Sequence, residues 1–388
     1  MREFTKRDLV RPAATRFGTA YLTLESMLGV KERLEEMCVS KEWNAHHLSK
    51  TQEAKAVKQI ILRDKYFWPS VQYSVQTTKP LFKVLRMADS EMVPGMGFLY
   101  GCMDRAKEEI SENLGRDFGS YNEIWKIIDK MWELQLHRDL HAAAYYLNPR
   151  FQYDPKMSTN PEVKAGLFRC MAKLFPNPKI QEKLHLQMDD FRLKRGFFGH
   201  DVAQNTVHKR SPVDWWTQYG DETPELMACA IRILSLTCSS SACERNWSTF
   251  NQIHTKKRNR LHTKNLNKMV YVMYNKRLKS KWMKKASLKV EEDPLVMDEI
   301  PSDDEWFILK VILLVKQSPT QVAKEEIKDI LQKGVALGKE KHYSLLMKLK
   351  KMKKMILFFE ILLEMIFPSI LRKRMKEMQH LFILISSR

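Results

Sequence analysis

Apolar residues recur at intervals of three and four along most of this chain. In residues 121–136, for example, Ile124, Ile128 and Met131 fall on one side of a helix, with charged residues on the other. The sequence has no convincing run of alternating β-branched residues and no Asn-Gly or Asp-Gly hairpin turn. These patterns predict a mostly α-helical protein.

Proline and glycine predict where the helices begin and end. One amphipathic helix is expected over 121–147, ended by Asn148-Pro149. Pro80 is expected to open a helix that breaks at Pro94-Gly95, and Pro224 to lie in the first turn of another. The stretches 154–166 and 194–212 have linker-like compositions.

The balance of charge favours a polyanionic partner. The chain has 66 Lys and Arg residues against 46 Asp and Glu residues, a formal net charge of +20, and nucleic acid is the obvious polyanion. Residues 245–290 contain no Asp or Glu, whereas 291–306 are acidic and resemble a solvated linker. Residues 307–388 form an uncertain basic and hydrophobic tail.

No metal, redox or membrane site is indicated. The six cysteines form no CxxC pair and no zinc-finger spacing, which is typical of thiols in a reducing compartment. His137 and His141 lie four residues apart without an evident third ligand, so a helix-surface or core role is expected. The first ten residues are charged, and the apolar run 355–367 is short and carries two glutamates. We expect no cofactor and no membrane partner.

The segment SSSACERNWSTF (239–250) contains a carboxylate with two interpretations. Ser241 and Glu244 have the spacing of a capping box, in which Ser accepts from a backbone N–H and Glu reaches back to the N-cap. Alternatively, Glu244 is a catalytic carboxylate. The two roles do not exclude each other.

Two further sets of residues are candidates for binding. The basic residues of the first set could contact phosphates or serve in nuclear import, or form a solvated helix face; they are Lys256, Lys257, Arg258, Arg260 and Lys264. The apolar residues of the second set suit either a core or a dimer interface; they are Trp215, Trp216, Trp247, Phe250, Leu266, Val270 and Met273. Leu266, Val270 and Met273, with Met269, form a helical stripe. The aromatic members of the set, together with Tyr271 and Tyr274, could alternatively stack on bases.

The motif SSSACERNWSTFNQIHTKKRNRL (239–261), followed by NKMVYVMYNKRL (267–278), resembles the C-terminal dimerisation region of hAT-superfamily transposases, especially those of plants. Upstream segments are also similar, in the same order, including residues 9–27, 94–107 and 127–153. The resemblance covers about residues 9–306.

The resemblance implies a fold and a chemistry. These transposases cut and paste DNA with an RNase H-like core, in which two aspartates and one glutamate bind divalent metal. Glu244 is the counterpart of that glutamate. The segment that follows the two aspartates in the family matches residues 11–19 here, so the aspartates and the N-terminal BED zinc finger are expected to be missing.

These observations give one favoured function and two alternatives. The chain is expected to be a transposase-derived protein of the nucleus that dimerises with itself or a related hAT protein and contacts DNA without cutting it. One alternative is an active transposase, using Mg²⁺ or Mn²⁺ and completed by residues outside this chain. The other is a domesticated nuclear regulator.

The expected architecture has four parts. A helical region resembling the hAT insertion (1–200) precedes the terminal helices of an incomplete RNase H-like core, in the dimerisation region 211–280. The acidic linker 291–306 and the tail 307–388 follow.

Overall fold

The computed structural model describes residues 2–6, 9–10, 17–88, 94–155, 161–238, 249–250, 253 and 262–288. In this part of the chain the regular elements are helices and no β-strand occurs, which confirms the predicted mostly α-helical fold. None of the helices among these residues is long and apolar enough to cross a membrane.

The described residues cluster in two compact units. Unit 1 takes its residues from Met1–Phe82 and Lys107–Met131, and unit 2 from Lys83–Ala106 and Trp132–Ile300. Unit 2 therefore includes residues on both sides of the boundary expected near position 200.

The helices up to position 131 are, in chain order, α1 (Arg2–Thr5), α2 (Phe17–Leu28), α3 (Lys31–Val39), α4 (Lys41–Ala45), α5 (Gln52–Arg63), α6 (Phe67–Ala88), α7 (Leu99–Asn113) and α8 (Phe118–Met131). A 3₁₀ turn, His47–Lys50, lies between α4 and α5. Helix α6 ends before Pro94-Gly95 and α7 begins after it, as predicted.

The later helices begin after a π-helical turn, Trp132–Leu136. They are α9 (Asp139–Leu147), α10 (Pro149–Gln152), α11 (Pro161–Leu174), α12 (Pro178–Arg192), α13 (Asp201–Thr206), α14 (Pro212–Tyr219), α15 (Pro224–Leu234) and α16 (Thr263–Leu288). A 3₁₀ turn, Gly196–Gly199, separates α12 from α13.

Short polar side chains fix where many of these helices begin. Ser40, Thr51, Asn148, Asn177 and Ser211 each accept a hydrogen bond from a backbone N–H in the first turn of the helix that follows. Such a cap satisfies a donor that the helix itself cannot pair, and contributes roughly 1 kcal/mol.

The expectation that Pro80 opens a helix is wrong, because Pro80 lies inside α6. A proline there has no N–H to donate to the carbonyl four residues earlier, which is that of Gln76. The Gln76 carbonyl accepts instead from Asn113 Nδ2 at 2.9 Å. This side-chain bond offsets part of the cost of proline, so α6 continues to Ala88.

The helix expected over 121–147 is divided into α8 and α9. After the π-helical turn, the His137 N–H bonds to the Trp132 carbonyl at 2.8 Å, and Arg138 has an extended backbone. Asp139 is the first residue of α9. Its carboxylate interacts favourably with the positive end of the helix dipole. The predicted end at Asn148-Pro149 is confirmed, since α9 stops at Leu147.

Helices α9 and α11 pack against each other, and α11 begins within the stretch expected to be a linker. A Cβ added to Gly166 would lie 2.7 Å from the Ala142 Cβ, so glycine permits the approach. Asp139 pairs with Arg169 and Lys173 at 2.8 and 2.9 Å at the edge of this contact. The linker expectation for 161–166 is therefore wrong.

Candidate self-association and nucleic-acid interface

Four aromatic residues form the centre of the region that leads to α16. Phe191, Phe198, Trp215 and Trp216 are fully buried. The rings of Phe198 and Trp215 stack with centroids 5.6 Å apart, and those of Phe191 and Trp216 lie 4.6 Å apart. We call these four residues the aromatic core; aromatic pairs at such distances add to the stabilisation from burial alone.

Both indole N–H groups in the aromatic core are paired inside the same unit. Trp215 Nε1 donates to the Ala203 carbonyl at 2.9 Å, and Trp216 Nε1 donates to the Leu147 carbonyl at 2.8 Å. Neither side chain is exposed, so neither presents a surface to a second molecule. Of the two alternatives for Trp215 and Trp216, core and dimer interface, the structure supports the core.

The stretch expected to be a linker at 194–212 carries part of this core. Gly196 has a φ of +55°, a conformation that favours glycine, and an added Cβ would collide with the Glu222 carboxylate. The same carboxylate accepts from the Phe197 N–H at 3.1 Å. This turn directs Phe198 into the core, so the linker expectation is wrong here also.

Helix α14 begins with a capping arrangement. The Asp214 N–H donates to Ser211 Oγ at 3.1 Å, the Ser211 hydroxyl donates to the Asp214 carboxylate at 2.6 Å, and Pro212 follows the cap. The prediction that Pro224 lies in the first turn of a helix is also confirmed, by α15.

Glu225 in α15 is held by two side chains of α12. Lys183 Nζ and Gln187 Nε2 donate to its two oxygens at 2.7 and 2.6 Å. These hydrogen bonds, first that from Lys183 and then that from Gln187, lower the pKa of Glu225 to about 2. Gln187 also accepts from the Leu226 N–H at 2.8 Å, which ties α12 to the start of α15.

Helix α16 differs from the aromatic core because much of its surface is open. Val270, in the centre of the predicted apolar stripe, is buried, while Leu266 and Met273 are half-buried. Phe250, which precedes α16, is half-buried as well. Three of the four stripe residues are therefore at least partly covered within the protomer, whereas the fourth, Met269, is exposed.

The opposite side of α16 carries apolar residues in contact with solvent. Tyr271 is 70% exposed and Val272 is 62% exposed, and Met269 and Met283 are also exposed. Val272 follows Val270 by two residues, which places it about 200° around the helix axis, away from the buried side. We call Met269, Val272 and Met283 the open face of α16.

Lysines surround the open face. Lys268 and Lys276 lie four residues before and after Val272, and Lys279 seven residues after, so all three share its side of the helix. These side chains and Lys264 are exposed. Arg277 lies elsewhere on the helix, where it donates to Thr249 Oγ1 at 3.4 Å.

Several predicted residues lie outside the described part of the chain. They are Glu244, Trp247, Lys256, Lys257, Arg258 and Arg260. Both Glu244 interpretations therefore stay predictions, as do the phosphate contacts proposed for the basic residues of 256–260.

The two histidines considered as metal ligands have protein partners instead. The ring nitrogens of His137 face Glu133 and Glu162, and His141 Nδ1 lies 2.5 Å from the Leu136 carbonyl. Burial lowers the pKa of His141, which favours its neutral ring. Among the residues that the structure describes, no group of three or more His, Cys, Asp or Glu side chains could hold a metal ion.

A comparison with protein families places this geometry in context. Residues 195–275 match the hAT family C-terminal dimerisation region. No curated protein matches the chain at a significant level. The matched region begins at the turn before the aromatic core's Phe198 and ends within α16, so it contains Trp215, Trp216 and most of the open face.

The open face was not predicted as a surface, because Met269 was assigned to the apolar stripe and Val272 and Met283 were not selected. The apolar stripe was assigned around Val270, whereas the exposed apolar side chains include Tyr271 and Val272. The pattern YVMY (271–274) is apolar on every side of a helix, so periodicity alone does not identify the side that packs inward. The lysines at positions 268, 276 and 279 mark the outward side.

Proposed function

We propose that the protein is transposase-derived and forms a homodimer through the open face of α16. The observation that supports this most is the exposure of Val272 and Met269 on a helix of the region that matches a dimerisation family. Contact with a second copy would remove these side chains from water, which stabilises association by roughly 25 cal/mol per Å² of apolar surface buried.

Self-association is tested with two differently tagged copies of the whole chain, co-expressed and purified through one tag after nuclease treatment. The second tag is expected in the eluate. Val272→Glu should abolish its recovery, because association would have to remove a charged carboxylate from water at the centre of the contact. Val202→Glu is the matched control, since Val202 is 64% exposed in α13 of the same region and should leave recovery unchanged.

We further propose that the lysines of α16 contact nucleic-acid phosphates without regard to base sequence. Within α16 there are eight Lys or Arg residues and no Asp or Glu, and the described lysines are exposed. Each phosphate neutralised releases condensed counterions, so affinity should fall steeply with salt.

Fluorescence anisotropy with a labelled duplex of about 20 base pairs tests this interaction. Replacing Lys268, Lys276 and Lys279 by Ala should weaken binding and lower the salt slope of log K by about 0.9 for each phosphate that the variant no longer neutralises. A variant with Lys55, Lys65 and Lys130 changed to Ala, all exposed in unit 1, is the control of equal charge. Equal weakening of binding by both variants would contradict a specific role for α16.

We propose that the protein is located in the nucleus. We also propose, as a second statement, that this 388-residue chain does not catalyse DNA cleavage. What supports the second statement is the sequence, in which Glu244 is the one position that matches the catalytic residues of the similar family. A plasmid nicking assay with Mg²⁺ or Mn²⁺ should give no cleavage. Cleavage that Glu244→Ala abolishes would instead establish the alternative of an active transposase.

A further inference from the structure

Helix α16 and the segment that follows it have opposite charges. Residues 291–306 contain eight Asp or Glu residues and no Lys or Arg, whereas α16 contains eight Lys or Arg residues and no Asp or Glu. The acidic residues are Glu291, Glu292, Asp293, Asp298, Glu299, Asp303, Asp304 and Glu305. Each block therefore has the charge that the other would attract.

The lysines that surround the open face are available for such a partner. Lys268, Lys276 and Lys279 are exposed, and within the described residues no acidic side chain pairs with them. Like charges three residues apart on one helix, such as those of Lys276 and Lys279, repel each other. An anionic chain laid along these lysines would offset that repulsion.

The acidic segment is long enough to reach these lysines. Helix α16 has 26 residues, so it is about 39 Å long at 1.5 Å per residue. The 16 residues of 291–306 span up to about 53 Å when extended. Two residues separate the segment from the end of α16 at Leu288, so an extended chain can run back past Lys268.

Covalent linkage favours this segment over a free anion. Because only two residues separate the segment from α16, its effective concentration near the helix is in the millimolar range. Nucleic acid at micromolar concentration must displace it before binding the same lysines. The same linkage favours contact within one chain over contact with the segment of another.

We propose that residues 291–306 bind the lysines that surround the open face of α16, Lys268, Lys276 and Lys279, in the same chain and compete there with nucleic acid. The segment acts as an internal polyanion, so nucleic acid binds α16 only after displacing it. The competition part rests on the proposed nucleic-acid contact, whereas the contact between 291–306 and α16 stands independently of it.

Zero-length carbodiimide cross-linking of the full chain tests the contact directly. At low salt, amide cross-links are expected between carboxylates of 291–306 and Lys268, Lys276 or Lys279, and about 0.5 M NaCl should remove them by screening. Lys284 and Lys285 lie close in sequence to the carboxylates of 291–306. They are expected to cross-link to these carboxylates whether or not the segment reaches Lys268, so their cross-links calibrate the yield. Mixing ¹⁵N-labelled and unlabelled protein shows whether each cross-link lies within one chain.

Absence of cross-links to Lys268, Lys276 and Lys279 would overturn the proposal. Cross-links that join labelled to unlabelled chains alone would overturn it as well. Neither result depends on whether the protein binds nucleic acid.

Duplex binding by two variants of equal charge tests the competition. A variant with Asp303→Asn, Asp304→Asn and Glu305→Gln should bind the duplex about tenfold more tightly, because the internal competitor is weakened. Glu108→Gln, Glu182→Gln and Asp221→Asn, at exposed positions, form the control, expected to change affinity by less than about twofold.

Equal tightening in the two variants would overturn the competition, since it would reflect net charge alone. If the cross-links form but the protein binds no duplex, the contact between 291–306 and α16 stands. The competition with nucleic acid and the proposed nucleic-acid function would then both be wrong. Unchanged self-association of both variants confirms that they are folded.

Discussion

Most of the aromatic core and the first half of helix α16 lie in the same matched region, but they bury their large side chains to very different extents. Trp215 and Trp216 are fully enclosed and their N–H groups are paired within unit 2. Tyr271 and Val272 are mostly in contact with solvent. Residue type therefore does not separate a core from an interface, whereas burial and hydrogen-bond satisfaction in the folded protomer do.

The largest expected effect comes from truncating the aromatic core. Trp216→Ala should lower the free energy of unfolding by about 3–5 kcal/mol, because it leaves a cavity and removes the donor to the Leu147 carbonyl. Tyr271→Ala should change it by less than about 0.5 kcal/mol, as expected for an exposed position. Urea denaturation at a concentration where the protein is monomeric measures both. Equal destabilisation by the two substitutions would remove the distinction between the two regions.

A smaller effect is expected where two helices touch. Gly166→Ala should cost about 1–3 kcal/mol, because the new methyl group meets Ala142 between α9 and α11. Gly119→Ala, at an exposed position near the start of α8, meets no other helix and should be neutral or stabilising. Thermal unfolding followed by circular dichroism compares the two. A neutral Gly166→Ala would show that α9 and α11 are not closely packed.

The smallest effect concerns the half-buried link between α12 and α15. Because the pKa of Glu225 is lowered to about 2, its carboxylate stabilises the fold above the ordinary glutamate pKa, and this stabilisation disappears as the pH falls towards 2. Glu225→Gln should therefore weaken the fall in urea midpoint between about pH 5 and about pH 2.5. Glu182→Gln, at an exposed position on α12, is the control that removes the same charge. Identical curves for both variants would contradict the assignment.

Much of the helical architecture could be predicted from local sequence. Pro149 and Pro224 marked helix boundaries correctly, because the missing N–H and fixed φ of proline suit a first turn. The prediction that Pro80 begins a helix was wrong for a non-local reason. The Gln76 carbonyl, which Pro80 cannot pair, accepts a hydrogen bond from Asn113, 37 residues further along the chain. The division of 121–147 depends on a π-helical turn that apolar spacing does not reveal.

The candidate interface was less predictable than the fold. The sequence placed Trp215, Trp216 and Val270 among candidates for either core or interface, and each is buried within the protomer. Val272 was not selected, and the exposure of Tyr271 was not predicted, because exposure depends on which side of α16 the rest of unit 2 covers. That choice is set by packing between residues distant in sequence, which helical periodicity does not contain.

Sedimentation equilibrium tests the central claim, that the open face of α16 carries self-association. The wild-type chain and Val202→Glu should both have the mass of a dimer at micromolar concentration, whereas Val272→Glu should have the mass of a folded monomer. A Val272→Glu protein that remains dimeric, or a wild-type chain that is monomeric throughout, would contradict the assignment of the dimer interface to α16.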